Sequence, residues 1–138
     1  LNDSTLEEEF NMLLKTSNIE GKYDISLFFD KHFEKAGIDQ DLQLNLYRIL
    51  QEQLRNIMKY AKGSTIEVDV TATKKKLRMR IADDGVGFDI NTVKGGIGLP
   101  NIKRRVELFS GRFEIYSAPG KGTEIMISIP LNIESPNF

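Results

Sequence analysis

No cysteine occurs in the 138-residue chain, and histidine occurs once. Disulfides, thiolate chemistry and cysteine zinc sites are therefore excluded, and so are histidine metal clusters. The missing cysteines suit a reducing cytoplasm, which is the expected location. No apolar run approaches the roughly 18 residues of a membrane-crossing helix, and no charged-then-apolar signal segment opens the chain. Membrane contact by this chain is not expected. Charge of one sign is lacking as well: 19 basic against 20 acidic residues leave a formal charge of -1. There is then no global basic field for nucleic acid, and any anion site must be local. Internal repeats and low-complexity linkers are absent. The length suits one domain that can bury roughly two thirds of the surface of its unfolded form. The first residue is Leu1 rather than methionine, and we expect a piece of a longer protein.

The organising stretch is Leu42 to Lys62. Leu46, Leu50, Leu54, Ile57 and Ala61 recur at helical spacing as one apolar stripe, while Arg48, Glu52, Asn56 and Lys59 gather on the other side. This predicts one amphipathic helix, capped by Asp39 or Asp41 and closed by Lys59 and Lys62 before Gly63. A polar stripe is by default a solvated face. Here, however, the spacings of four and three residues project a carboxylate, a carboxamide and an ammonium towards one region. Such a set can serve a metal ion, a phosphate and a reacting proton.

The rest of the chain reads as follows. A short helix is predicted from Thr5 to Thr16, behind an Asp3/Ser4 cap signal and with Glu7, Glu8 and Glu9 in its first turn. Tyr23 to Phe29 reads as a strand after a turn at Gly21. His32 follows with no carboxylate partner at a telling spacing and is set aside. Ile66, Val68 and Val70, then Leu77, Met79 and Ile81, alternate as a hairpin whose outer face sets Glu67 and Asp69 near Arg78 and Arg80. The second strand runs into Asp83, Asp84, Gly85, Val86, Gly87, Phe88. Glycines at alternate positions after two carboxylates let the backbone turn tightly or let a flat ligand approach closely. A second glycine-rich stretch, Lys94 to Leu99, leads through Pro100 into a helix from about Asn101 to Phe109. A glycine loop that feeds a helix start is a natural phosphate cradle, because unpaired amides and the helix dipole both face the anion. Two last strands, carrying Phe113 and Ile115, then Ile125, Ile127 and Ile129, are joined through Ala118, Pro119 and Gly120. Neither glycine loop has the order or spacing of a dinucleotide fingerprint or a Walker loop.

Taken in order, QEQLRNIMKYA at Gln51 to Ala61, DDGVGF at Asp83 to Phe88, GGIGL at Gly95 to Leu99 and GKGT at Gly120 to Thr123 resemble a known family. It is the ATP-binding catalytic domain of bacterial sensor histidine kinases, in the superfamily that also holds DNA gyrase, heat-shock chaperone and mismatch-repair ATPases. LYRILQEQL resembles the nitrate- and desaturase-sensor subgroup. The resemblance spans roughly Tyr23 to Pro130. It implies an α+β fold, a two-layer sandwich in which a mixed, mostly antiparallel sheet is covered on one face by helices, the Bergerat-type ATP-binding fold. The expected division is residues 1–20 as a helical segment at the end of a linker from a dimerisation domain, 21–131 as the ATP-binding domain and 132–138 as a loose tail.

The resemblance also implies roles. Asn56 would be the magnesium ligand and Glu52 the carboxylate that polarises the attacking nucleophile. Lys59 would offset phosphate charge. Asp83, not Asp84, would accept a hydrogen bond from the adenine amino group, and Thr123 would support the adenine end. Gly85 and Gly87 would let the base lie against backbone, Gly96 and Gly98 would form a lid, and amides near Leu99 to Asn101 would meet the phosphates. The cofactors implied are ATP and Mg2+. The partners implied are ATP or ADP, the dimerisation and histidine-phosphotransfer domain of a parent kinase, and indirectly a response regulator. Tyr60 stands where the family often has histidine. His32, in KHFEK, lies outside the acceptor context, so the chain is expected to bind Mg-ATP as a monomer without phosphorylating itself. The alternatives are a non-catalytic nucleotide-binding module and an anti-sigma-factor-like serine kinase. The whole reading requires Asn56 and Asp83 to share one cavity.

Overall fold

Alternation of branched apolar residues builds the sheet. In β2 (Thr65–Ala72) and β5 (Thr123–Pro130) every second residue is buried, and in β3 (Lys76–Asp83) so are Leu77, Met79 and Ile81, as a strand with one covered face requires. The structure, a computed structural model, describes residues 4–91 and 99–131. Its five-stranded sheet has the order β1-β2-β3-β5-β4, with β1 at Asp24–Phe29 and β4 at Arg112–Ser117. The β2–β3, β3–β5 and β4–β5 pairs are antiparallel. β1 and β2 are parallel, which the long helical connection between them permits.

The helices cover the apolar face. α1 (Leu6–Ser17) buries Leu6, Phe10, Leu13 and Leu14 in the same core as the sheet. The Phe10 ring meets Phe29 of β1 edge-on at 5.8 Å. Full burial of such a side chain is worth about 1.5–3 kcal/mol. The cap of α1 is Thr5 rather than the expected Asp3/Ser4 pair; Thr5 and Glu8 form a reciprocal capping box, the stronger arrangement because it satisfies two end groups at once. Asp3 and the tail from 132 lie outside the described residues. After β1, a one-turn helix, α2 (His32–Lys35), was not anticipated. Asp30 accounts for it. Its Oδ1 accepts from the His32 amide at 3.0 Å and lies 2.9 Å from His32 Nδ1, so His32 does have a carboxylate partner, two residues upstream. These bonds hold the Asp30 carboxyl below its ordinary pKa.

The organising stretch is not one uniform helix. α3 (Gln40–Asn56) is α-helical and passes into a π-helical turn, Ile57–Ala61, which ends at Lys62 with a left-handed backbone. A π turn adds a residue to the helical repeat and is frequent at functional sites. Here the wide turn is tied from outside. Tyr23 Oη donates to the Ile57 carbonyl at 3.5 Å and accepts from the Gly63 amide at 3.1 Å, while the Ala61 carbonyl accepts from Val86 N–H at 2.7 Å. The predicted apolar stripe is buried throughout. α4 (Leu99–Glu107) starts two residues earlier than expected; Pro100 falls in its first turn, where a missing N–H costs nothing. On the open face of the sheet, Arg80 is bonded to Glu67 (3.0 Å), Asp69 (2.8 Å) and Glu124. Its neighbours thus include a β5 partner that the hairpin could not reveal.

Candidate functional site

Strand alternation sends the two adjacent aspartates at the end of β3 to different tasks. Asp84 turns to the α3–β2 connection. There it accepts from Ser64 N (2.7 Å), Ser64 Oγ (2.6 Å) and Thr65 N (2.8 Å). The Ser64 hydroxyl and these amides hold its pKa far below the ordinary carboxylate range. It is a structural clamp. Asp83 turns the other way, beside its register partner Thr123 of β5. Its Oδ1 accepts from Gly85 N–H at 2.8 Å. Burial raises its pKa above the ordinary value and the nearby Asp84 charge adds to this, against the stabilising amide of Gly85.

The loop that follows is held by close backbone contacts. A Cβ on Gly85 would run into the Ala61 carbonyl, and one on Gly122, at φ 74°, into the Asp83 carbonyl. Gly87, at φ 63°, faces Ala118 in the same manner. The glycines of DDGVGF and GKGT thus let two turns and a helix end interlock. Gly85→Ala is expected to lower stability by about 1–3 kcal/mol, as overpacking does; a denaturant melt with an unchanged midpoint would contradict this.

These elements enclose a hollow of about 170 Å³. Asp83 and Thr123 line it from the sheet, Gln53 and Asn56 from α3, and Leu99 from the first turn of α4. Ile57, Ala61, Val86 and Phe88 make apolar walls, with Gly87 and Tyr60 completing the lining. Asn56 and Asp83 therefore share one cavity. Of the other expected residues, Thr123, Gly87 and Leu99 also line it, whereas Glu52, Lys59 and Gly85 do not. Glu52 lies one turn before Asn56 and is paired with Arg55 at 3.1 Å. Lys59 is exposed, its ammonium 5.6 Å from the centroid of the Tyr60 ring. Gly85 is turned to Ala61. Gly96 and Gly98 lie outside the described residues.

Two contributors were not singled out in advance. Gln53 is 3% exposed, and its Oε1 accepts from Asn56 Nδ2 at 3.2 Å, so the Asn56 carboxamide is oriented by its amide nitrogen and its oxygen is left to act as a ligand. The Gln-x-x-Asn spacing on one helix was the available signal. Ser117 joins Phe88, Gly122 and Thr123, and no pattern in the sequence marks it.

A purine-sized hollow with apolar walls and a few polar side chains, set between a helix end and the ends of two sheet strands with glycine turns beside it, defines a nucleotide-binding domain. The family model described as histidine kinase-, DNA gyrase B-, and HSP90-like ATPase matches residues 41–133, and the chain belongs to that family of ATP-binding domains. It is 38% identical over 111 residues to the signal transduction histidine-protein kinase/phosphatase DegS of Brevibacillus brevis, covering 78% of this chain and 29% of that protein. It is 40% identical over 99 residues to the sensor histidine kinase ComP of Bacillus subtilis (strain 168), covering 70% of this chain and 13% of that one. The chain thus spans less than a third of these relatives. Among solved structures, a blue-light activated histidine kinase of Erythrobacter litoralis superposes with TM-score 0.76 at 18% identity, over 91% of this chain and 42% of that one. The mycobacterial sensor histidine kinase MprB gives 0.66 at 18%, over 91% and 93%. At such identities the likeness speaks for the fold, a helix-covered mixed sheet of the kind expected.

Proposed function

We propose that this chain is the kinase domain of a two-component sensor histidine kinase. It binds Mg-ATP and presents the γ-phosphate to a histidine on a separate dimerisation domain, from which a response regulator is served. The observation that carries this reading is that Asn56, Asp83 and Leu99 at the start of α4 line one hollow.

The residues fit the nucleotide. Asp83 accepts from the exocyclic amino group of adenine, apolar walls of Ile57, Ala61 and Phe88 take the ring, and the amides of Leu99 and Asn101 point their partial positive charge at phosphates. Pro100 contributes no amide. The Asn56 oxygen is the hard donor that a magnesium ion accepts. Magnesium, when bound, neutralises phosphate charge and keeps the phosphates in line for transfer. Lys59, at the edge of the hollow beside Tyr60, adds positive charge there, and Glu52 draws the proton of the incoming imidazole.

A fluorescent ADP analogue titrated into the chain is expected to bind, more tightly with magnesium than with EDTA. Equal binding in both would remove the metal from the reading, and no binding would remove the nucleotide. With radiolabelled ATP the chain is expected to stay unlabelled, because acceptor and kinase lie on separate domains; label on His32 would contradict that division.

A further inference from the structure

The hydroxyl of Ser117 has one proton and two lone pairs, and three neighbours claim all of them. The Gly122 carbonyl, 2.9 Å away, can only accept, so it takes the proton. The Phe88 amide, also at 2.9 Å, can only donate, so it takes one lone pair. Thr123 Oγ1 lies at 2.8 Å and is left with the other. Ser117 has no second proton to give, so the Thr123 hydroxyl must direct its own proton at Ser117. The oxygen of Thr123 therefore meets the hollow with lone pairs alone.

This fixes the character of the base end. Thr123 stands directly across from Asp83 in the β3–β5 pair, both line the hollow, and Thr123 is 8% exposed. An ionised carboxylate is an acceptor too. The two side chains that meet the edge of a bound ring are thus both acceptors, and neither can turn to offer a proton while Ser117 is in place. An amino group brings two N–H donors to such a place, directly or through one water. An oxygen at C6 brings none to that position, its accompanying N1–H lying one ring atom away, and it leaves buried acceptors facing each other, which is costly. Asp83 supplies one half of this discrimination; the other half comes from a serine that does not line the hollow.

We propose that Ser117 is a positioning residue for base selectivity: by keeping the Thr123 proton turned away, it favours purines with an amino group at C6 over those with an oxygen there. The proposal rests on the nucleotide reading of the hollow. Affinities for ADP and inosine diphosphate, measured by calorimetry on the wild-type chain and on Ser117→Ala, test it. The wild type is expected to prefer ADP. In Ser117→Ala the Thr123 hydroxyl is released to donate into the hollow, and the ADP-to-IDP preference is expected to fall about five- to tenfold, the scale of one neutral hydrogen bond. Ser117→Thr, which keeps a hydroxyl, is expected to restore it. In a Thr123→Val background, Ser117→Ala is expected to leave the ratio where Thr123→Val alone sets it. If Ser117→Ala weakens both nucleotides equally, Ser117 only braces the turn and the proposal is overturned. The same follows if the ratio still changes in the Thr123→Val background. A wild-type chain that binds neither nucleotide would instead overturn the reading of the hollow itself.

Discussion

Asp83→Asn is expected to weaken ADP binding about a hundredfold while leaving the unliganded fold at least as stable as the wild type at pH 7. The loss follows from replacing a charged acceptor, whose hydrogen bond is worth about 1.5–3 kcal/mol, by an amide that can turn an N–H towards the ligand's own N–H. The stability half follows from linkage. Burial raises the folded-state pKa of Asp83 above 3.8, so the folded protein holds this proton more tightly than the unfolded chain. Below pH 3.8 both states are protonated and nothing is lost. As pH rises from 3.8 through the raised value, the unfolded chain ionises first and folding becomes less favourable; above it the penalty is complete. Asparagine cannot ionise and removes that penalty, together with the repulsion from Asp84. Thermal melts with and without ADP check both halves. The variant should melt no lower than wild type alone, and about a hundredfold more ADP should be needed to raise its melting temperature by the same amount. A variant that ADP stabilises at the same concentrations as wild type would show that Asp83 does not hold the base. For the wild type, affinity should decline with falling pH as Asp83 takes up its proton, beginning at milder acidity than an ordinary aspartate would give.

The opposed behaviour of Asp83 and Asp84 shows where the sequence was informative and where it was not. The family resemblance singled out Asp83 over Asp84, whereas the separate task of Asp84 depends on Ser64 and Thr65, which are remote in sequence. The strands were legible directly: Ile66, Val68, Val70 and Ile125, Ile127, Ile129 carry a period that only a half-buried strand uses. The π turn was not legible, since Ile57 to Ala61 continue a helical pattern without a break. What widens the turn is remote in sequence, namely the Tyr23 hydroxyl and the Val86 amide. Gln53 was hidden because a glutamine on a helix is ordinarily solvated, and its burial depends on how α3 meets the sheet. Ser117 was hidden because its importance lies in a count of protons and lone pairs that exists only once Phe88, Gly122 and Thr123 converge. His32 was misjudged through its spacing. An aspartate two residues away is not a helix-face neighbour, but at a strand end its carboxylate reaches forward to the amide two residues on.

Glu52→Gln is expected to keep nucleotide affinity within about twofold of wild type and to lower phosphoryl transfer to an added histidine-bearing hairpin domain by about 10²–10⁴, the range for removing a general base. The separation arises from position. Glu52 lines no part of the hollow, so a ligand seated there does not depend on it, yet it stands one helical turn from Asn56 on α3, within the proposed reach of an incoming acceptor. Glutamine preserves length and one acceptor oxygen, but it cannot draw a proton from imidazole. Its loss of charge also releases Arg55, now held at 3.1 Å. That pair is exposed on the arginine side, so its own contribution to folding is at most about 1 kcal/mol, and the variant should melt close to wild type. Filter-binding of labelled hairpin measures the transfer, and titration of the fluorescent ADP analogue measures the affinity. Transfer at the wild-type rate would take Glu52 out of the chemistry. A parallel loss of affinity and transfer would assign it to holding nucleotide, which its place outside the hollow argues against.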